Sequence, residues 1–225
     1  MTAKVIAIDG PSGSGKGTLC RLLAKRLNYH YLDSGALYRL LGLAAKRHQV
    51  DFSNTEALAV LAGHMDIQFD TEDDGSTRVL LEGEDVTQQL RTEETGALAS
   101  QVAAIPEVRQ SLLDRQRFFA KEPGLVADGR DMGTVVFPMA QLKIYLTASP
   151  EERANRRYKE LLEKGENVSL AALVEQVRSR DERDMSRNAS PLKPAEGAIE
   201  LDTSEMSINE VMDTVLNILA VKGLL

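Results

Sequence analysis

Residues Gly10-Pro11-Ser12-Gly13-Ser14-Gly15-Lys16-Gly17-Thr18 carry the spacing G-x-x-x-x-G-K directly after the apolar run Val5-Ile6-Ala7-Ile8. Glycines at these positions let the chain fold so tightly that successive backbone N–H groups converge on phosphate oxygens, and a helix opening after Gly15 adds its positive end. Lys16 then supplies a full charge at the β- and γ-phosphates. Gly17 stands where a Ser or Thr ordinarily meets magnesium, so that role passes to Thr18, directly or through water. The alternative, a glycine-rich turn without a ligand, does not explain Lys16 or the helical stripe Leu19, Leu22, Leu23 and Leu27 that follows.

Two further clusters stand where a strand gives way to a helix or loop. Asp33-Ser34-Gly35-Ala36-Leu37-Tyr38-Arg39 closes the second predicted strand, and Asp128-Gly129-Arg130-Asp131 the third. In open parallel sheets the carboxyl ends of strands border the ligand crevice, which places Ser34, Arg39, Arg130 and Asp131 near the first loop. Arg130 can grip a phosphate in bidentate fashion, and Asp131 can only accept hydrogen bonds. The plainer readings are a helix cap at Asp33, a solvated Arg39 and an Arg130–Asp131 salt bridge.

Arginines gather toward the end of the chain. Arg153 and Arg157 share a helix face with i, i+4 spacing, and a later stripe of Leu170, Leu173, Val174 and Val177 continues into Arg180, Asp184 and Arg187. A stripe that begins apolar and turns charged describes a helix leaving the core to line a wet cleft.

Around these residues the elements alternate. Strands are predicted at Lys4 to Asp9, Tyr29 to Leu32, Leu125 to Ala127, Leu142 to Thr147 and Ala198 to Leu201, separated by helical periods, which predicts a parallel sheet covered on both faces. Ser149-Pro150-Glu151-Glu152 and Ser207-Ile208-Asn209-Glu210 both read as capping boxes. Between about Met65 and Val86 the rhythm breaks into a small antiparallel element, with Asp74-Gly75 as its turn. Helices resume from about Glu93 to Ala104 and from Pro106 to Lys121.

With 225 residues, 43% of them hydrophobic, the chain can bury one substantial α/β core and a small insertion. A net charge of −7 argues against nucleic-acid polymers or anionic membranes as partners. The single cysteine, Cys20, suits a reducing compartment. The first strand begins within about four residues of the start and no apolar run approaches the roughly eighteen that a span needs, so neither signal peptide nor membrane helix is expected.

Taken together, the loop Gly10 to Thr18, the run Asp33 to Arg39, the run Asp128-Gly129-Arg130-Asp131-Met132-Gly133-Thr134-Val135-Val136-Phe137-Pro138 and the segment Arg180 to Arg187 closely resemble the bacterial cytidylate kinases. The resemblance spans essentially the whole chain, and Gly-Arg-Asp-Met-Gly-Thr is its most specific part. It implies the P-loop NTPase fold: a five-stranded parallel sheet with helices on both faces, a core of 1–62 and 105–225, a nucleotide-binding insertion at 63–104 and a short mobile lid near 153–167. It implies ATP with Mg2+ as phosphoryl donor and CMP or dCMP as acceptor, in a cytoplasmic enzyme for which a monomer is the expectation. By motif, Arg39 and Arg130 would hold the acceptor phosphate; Ser34, Arg109, Asp131 and Arg187 would face cytosine; Ser100, Arg180 and Asp184 would meet the sugar. Arg153 and Arg157 would belong to the lid, Arg157 being the better placed for the transferring phosphoryl.

Other readings keep the scaffold and change the outcome. One is a kinase of another small acceptor, such as UMP, a different nucleotide or shikimate. Another is a nucleotide-dependent switch without transfer, but no Asn-Lys-x-Asp motif for guanine is present, and a switch has little use for a second arginine cluster.

Overall fold

The structure, a computed structural model, describes residues 3–71, 77–163 and 165–225. In chain order its elements are β1 (Lys4–Asp9), α1 (Lys16–Leu27), β2 (His30–Asp33), α2 (Ser34–Arg47), α3 (Thr55–His64), β3 (Ile67–Thr71), β4 (Thr77–Leu81), β5 (Glu84–Asp85), α4 (Glu93–Val102), α5 (Pro106–Arg117), β6 (Gly124–Gly129), β7 (Leu142–Thr147), α6 (Pro150–Glu163), α7 (Leu170–Ser186), β8 (Ile199–Asp202) and α8 (Ile208–Val221). A 3-10 turn at Gln89–Arg91 precedes α4, and a π-helical turn at Met132–Val136 follows β6.

Two compact units result, one of Met1–Asp33 with Arg117–Leu225 and one of Ser34–Gln116. The second is wider than the 63–104 insertion read from the sequence, because α2 packs on α4 so closely that a Cβ at Gly42 would stand 2.7 Å from the Leu98 Cβ. That contact joins α2 to the segment with the antiparallel strands.

The first unit is built on a five-stranded sheet of order β2-β6-β1-β7-β8, parallel throughout. Ile6, Ile8, Val126, Leu142, Ile144 and Leu146 of its central strands pack with Leu19 and Leu23 of α1 and with Val211, Val215 and Leu219 of α8. Truncating one such residue to Ala, for example Leu19, costs about 2–5 kcal/mol. Parallel pairing puts every strand's carboxyl end on one edge, where Asp9 pairs with Gly129 and Asp33 with Asp128. Strand β6 therefore runs past Ala127, where its apolar run stops: backbone pairing to β1 carries it on through Asp128 and Gly129.

In the second unit β3, β4 and β5 form an antiparallel sheet. The turn expected at Asp74-Gly75 lies outside the described residues. Strand β5, missed in the sequence, follows a two-residue turn in which Glu82 (φ 54°) and Gly83 (φ 79°) are both left-handed and Leu81 pairs with Glu84.

Both helix caps form, one only by half. At α8 the Ser207 side chain accepts from Glu210 N and Glu210 returns the bond to Ser207 N, worth about 1 kcal/mol. At α6 Ser149 Oγ accepts from Glu152 N at 3.2 Å, but the Glu152 carboxylate turns to Arg156 and Ser204 Oγ accepts from Ser149 N. Helix α5 ends at Arg117, short of the expected Lys121, ahead of the Glu122-Pro123 pair that disfavours helix.

Candidate functional site

The phosphate-type loop is held from behind, carbonyl by carbonyl. Pro11 O accepts from Lys16 Nζ at 2.7 Å and Ser14 Oγ at 3.0 Å, and Ser12 O accepts from Arg153 Nη1 at 3.0 Å. Ser14 O is met by Thr203 Oγ1 at 3.3 Å and Arg156 Nη1 at 3.5 Å. A trans peptide is planar, with its N–H opposite its C=O, so each tethered carbonyl turns the next residue's amide the other way. The amides of Ser12, Gly13 and Gly15 are thereby aimed before any ligand arrives. Helix α1 continues the pattern, since it opens on Gly15 with no side-chain cap and leaves its first N–H groups to a ligand. The two end glycines are obligatory: a Cβ at Gly10 would stand 1.9 Å from Leu146 O, and Gly15 has φ 90°.

Charge is concentrated behind this loop. Lys16 is 5% exposed, and burial, with Arg130 nearby, lowers its pKa from 10.5 to about 8. Burial raises the Asp128 carboxyl above the ordinary range although Lys16 pulls the other way. Burial likewise raises Asp9, from 3.8 to about 6, against the Gly133 and Met132 amides that it accepts at 2.8 Å each. Asp9 thus ties the end of β1 to the π-helical turn that follows Asp131.

In place of the Arg130–Asp131 salt bridge of the plainer reading, Arg130 takes a longer-range partner. Arg130 Nε donates to Asp184 Oδ2 at 2.9 Å, while Asp131 is buried at 2% exposure. Burial disfavours ionisation of Asp184, but Arg130, Arg180 and Arg187 together outweigh it and hold the carboxyl below its usual range. Arg187 Nη1 lies 3.9 Å from Asp184 Oδ1, its Nε donates to Ser190 O, and Leu192 N donates to Asp184 O.

Arg153 and Arg157 have different surroundings. Arg153 is 2% exposed: Nε donates to Ala148 O, Nη1 to Ser12 O and Asp181 Oδ1, and Nη2 to Asp181 Oδ2. Arg157, one turn on, bonds Glu160 at 3.1 Å with its side chain 23% exposed. Beneath them Ala154 and Leu161 of α6 pack on Leu173 of α7. Thr18 is exposed on the first turn of α1.

In the second unit, Ser34 begins α2 with its hydroxyl donating to Gln116 Oε1 at 2.6 Å. Arg39 Nη1 donates to Leu90 O at 2.6 Å, and Arg109 donates to Ala103 O with its guanidinium 5.4 Å from the Tyr38 ring centroid. Ser100 is half-buried on α4. Ser34, Arg39 and Arg109 are brought to the first turns of α2.

Three residues overlooked in the sequence, Asp9, Asp181 and Thr203, hold this arrangement together with Arg156, to which the sequence assigned no role. Asp181 was legible in principle, since Leu173, Val177, Asp181 and Asp184 follow one another at helical spacing on one face of α7. Nothing local marks Thr203, whose partner Ser14 is 189 residues away.

The family model described as cytidylate kinase matches residues 6–221. A protein named cytidylate kinase from Pseudomonas syringae pv. tomato is 59% identical over 223 residues, covering 99% of this chain and 97% of its own. Another of that name, from Stutzerimonas stutzeri, is 60% identical, covering 98% and 96%. This chain belongs to the cytidylate kinase family. A third relative, from Pseudomonas aeruginosa (strain LESB58), is 62% identical over 214 residues, covering 94% of this chain and 93% of its own. Among solved structures, TT1252 from Thermus thermophilus matches at TM-score 0.44 and 21% identity, over 97% of this chain and 99% of that one. Among the described residues of this family member no helix is long and apolar enough to cross a membrane.

Proposed function

We propose that the enzyme transfers the γ-phosphoryl of ATP in line to the phosphate of CMP and dCMP, giving CDP and dCDP. The observation that carries this reading is the loop of tethered carbonyls with Lys16 at its end, which supplies oriented donors and charge where a polyphosphate would lie. Phosphoryl transfer asks little covalent help of a protein; it asks for alignment and for neutralisation of the charge that spreads over the moving group. No general base is assigned.

The roles follow the family. Gly10 to Thr18 bind the triphosphate, and Arg39 and Arg130 hold the acceptor phosphate. Ser34, Arg109, Asp131 and Arg187 read the base, and Ser100, Arg180 and Asp184 the sugar. Cytosine presents an N4 amino donor beside the N3 and O2 acceptors, so a carboxylate among guanidinium and hydroxyl donors fits its edge. Uracil would set a carbonyl against Asp131. Arg157 reaches the transferring phosphoryl from the lid, whose moving part begins beyond Arg153.

Magnesium fits as a metal carried mainly by the nucleotide. Thr18 offers one exposed hydroxyl, the Asp128 carboxylate lies 3.4 Å from where a Gly17 Cβ would stand, and no cluster of three His, Cys, Asp or Glu side chains exists among the described residues. Thr18 would touch it directly or through water. When bound, it neutralises β- and γ-phosphate charge. A cytoplasmic monomer completes the proposal.

A coupled ADP-release assay with ATP, Mg2+ and each nucleoside monophosphate in turn tests the reading. CMP and dCMP should be turned over and UMP poorly. A wild-type enzyme that prefers UMP, another nucleotide or shikimate would assign the scaffold to a different acceptor, and ATP binding without transfer to any of them would favour the switch.

A further inference from the structure

We infer that Asp181 is a positioning residue of the phosphate loop, acting through Arg153. The inference rests on the kinase reading, because it assumes that the loop binds a triphosphate. Asp181 sits on α7 with its side chain 12% exposed, and both of its carboxylate oxygens accept from Arg153, at 2.9 and 2.5 Å. That fork orients the guanidinium. Its Nη1 donates in addition to Ser12 O at 3.0 Å, and its Nε to Ala148 O at 2.9 Å.

If the pair only fastened α6 to α7, the loop contact would be superfluous. Those helices are already joined by Ala154, Leu161 and Leu173, and at the surface by Arg178 and Glu151. Instead the Arg153 stem supports the loop, since a Cβ at Gly13 would stand 3.2 Å from the Arg153 Cβ. Holding Ser12 O fixes the Ser12–Gly13 peptide plane and with it the direction of the Gly13 amide. Without Asp181 the guanidinium loses the partner that turns Nη1 toward Ser12, and the plane is free to rotate. The preorganised donor is then lost, which weakens nucleotide binding through the loop without touching any acceptor contact.

The test uses the full chain with a non-hydrolysable ATP analogue plus Mg2+, titrated calorimetrically, and CMP titrated separately. Asp181→Asn should weaken the analogue by about tenfold or more and leave CMP within about twofold, and steady-state KM for ATP should rise by the same factor. Asp181→Glu, which keeps the charge, should recover part of the loss. Arg153→Lys, which keeps charge but lacks the fork, should weaken the analogue too, and the double variant should be no worse than the weaker single one, because both act through one contact. Analogue affinity unchanged in Asp181→Asn, or both ligands weakened equally, would overturn the inference. If Asp181→Asn does not fold, Asp181→Glu and Arg153→Lys carry the same comparison. A wild-type protein that fails to bind the analogue would instead strike at the kinase reading.

Discussion

Arg130 and Asp184 are bonded to each other, Nε to Oδ2 at 2.9 Å, across 54 positions of sequence. The proposed acceptor-phosphate arginine and the proposed sugar carboxylate are thus one charge pair at the end of β6 and the face of α7. Removing one partner of such a pair leaves the other charge unpaired and costs about 3–5 kcal/mol when burial is complete, and less here, where Arg130 keeps 20% exposure and Arg180 and Arg187 also face Asp184.

Asp184→Asn is therefore expected to lower Tm by several degrees and raise KM for both CMP and dCMP. Of the proposed sugar residues, Ser100, Arg180 and Asp184, the last already accepts from Arg130, so loss of the 2′-hydroxyl does not strand it and the wild type should accept both nucleotides. Losing Arg180 or Asp184 should hurt dCMP at least as much as CMP, since fewer contacts remain to orient the deoxy sugar. Parallel kinetics on both substrates check this, and a wild type inert toward dCMP would contradict it.

Lys16→Ala should reduce kcat by orders of magnitude with CMP affinity nearly unchanged, because its charge counts most as the γ-phosphoryl leaves. A loss of less than about tenfold, roughly 1.4 kcal/mol in barrier, would remove the loop from catalysis. The pH dependence has a definite sign. Lys16 works in its charged form, burial lowers its pKa to about 8, and so kcat/KM for ATP should fall by about tenfold per pH unit above that value. In the ternary complex the phosphates favour the ammonium, so the corresponding limb of kcat should lie at higher pH. Limbs at the same pH in both profiles would count against Lys16 as their source.

Asp131→Ala should erode most of the preference for CMP over UMP in kcat/KM. A site built around a hydrogen bond rejects the analogue that opposes it, and Asp131 is buried at 2% exposure. Unchanged discrimination in the variant would exclude Asp131 from the base pocket.

Arg157→Ala should lower kcat far more than ATP affinity, as expected of a contact that strengthens while charge develops. Arg153 is anchored to Ser12 and Asp181, so closure should involve the stretch beyond it rather than both arginines swinging together. Amides from Arg157 to Asn167 should gain hydrogen-exchange protection when an ATP analogue and CMP are both bound. Protection already high in the free protein and unaltered on binding would argue for a fixed basic surface instead of a lid.

The sequence by itself determined what local rules determine. The loop from Gly10 to Thr18, the central strands β1 and β7, the Ser207 cap and the amphipathic α8 all follow from residue type and spacing, because glycine spacing marks the loop, a short apolar run marks each strand, a hydrogen bond within a few residues makes the cap and one apolar stripe marks the helix. Even the turn of α7 from apolar to charged was visible as periodicity. Tertiary structure decided which charges meet. Asp9 reaches Met132 and Gly133, Arg153 reaches Ser12 and Asp181, and Arg130 takes Asp184 rather than its neighbour Asp131. A guanidinium on a long stem has many partners within reach, and sequence spacing does not choose among them. The choice follows from how helices and strand ends pack, which sets the distances and removes the water that would otherwise compete.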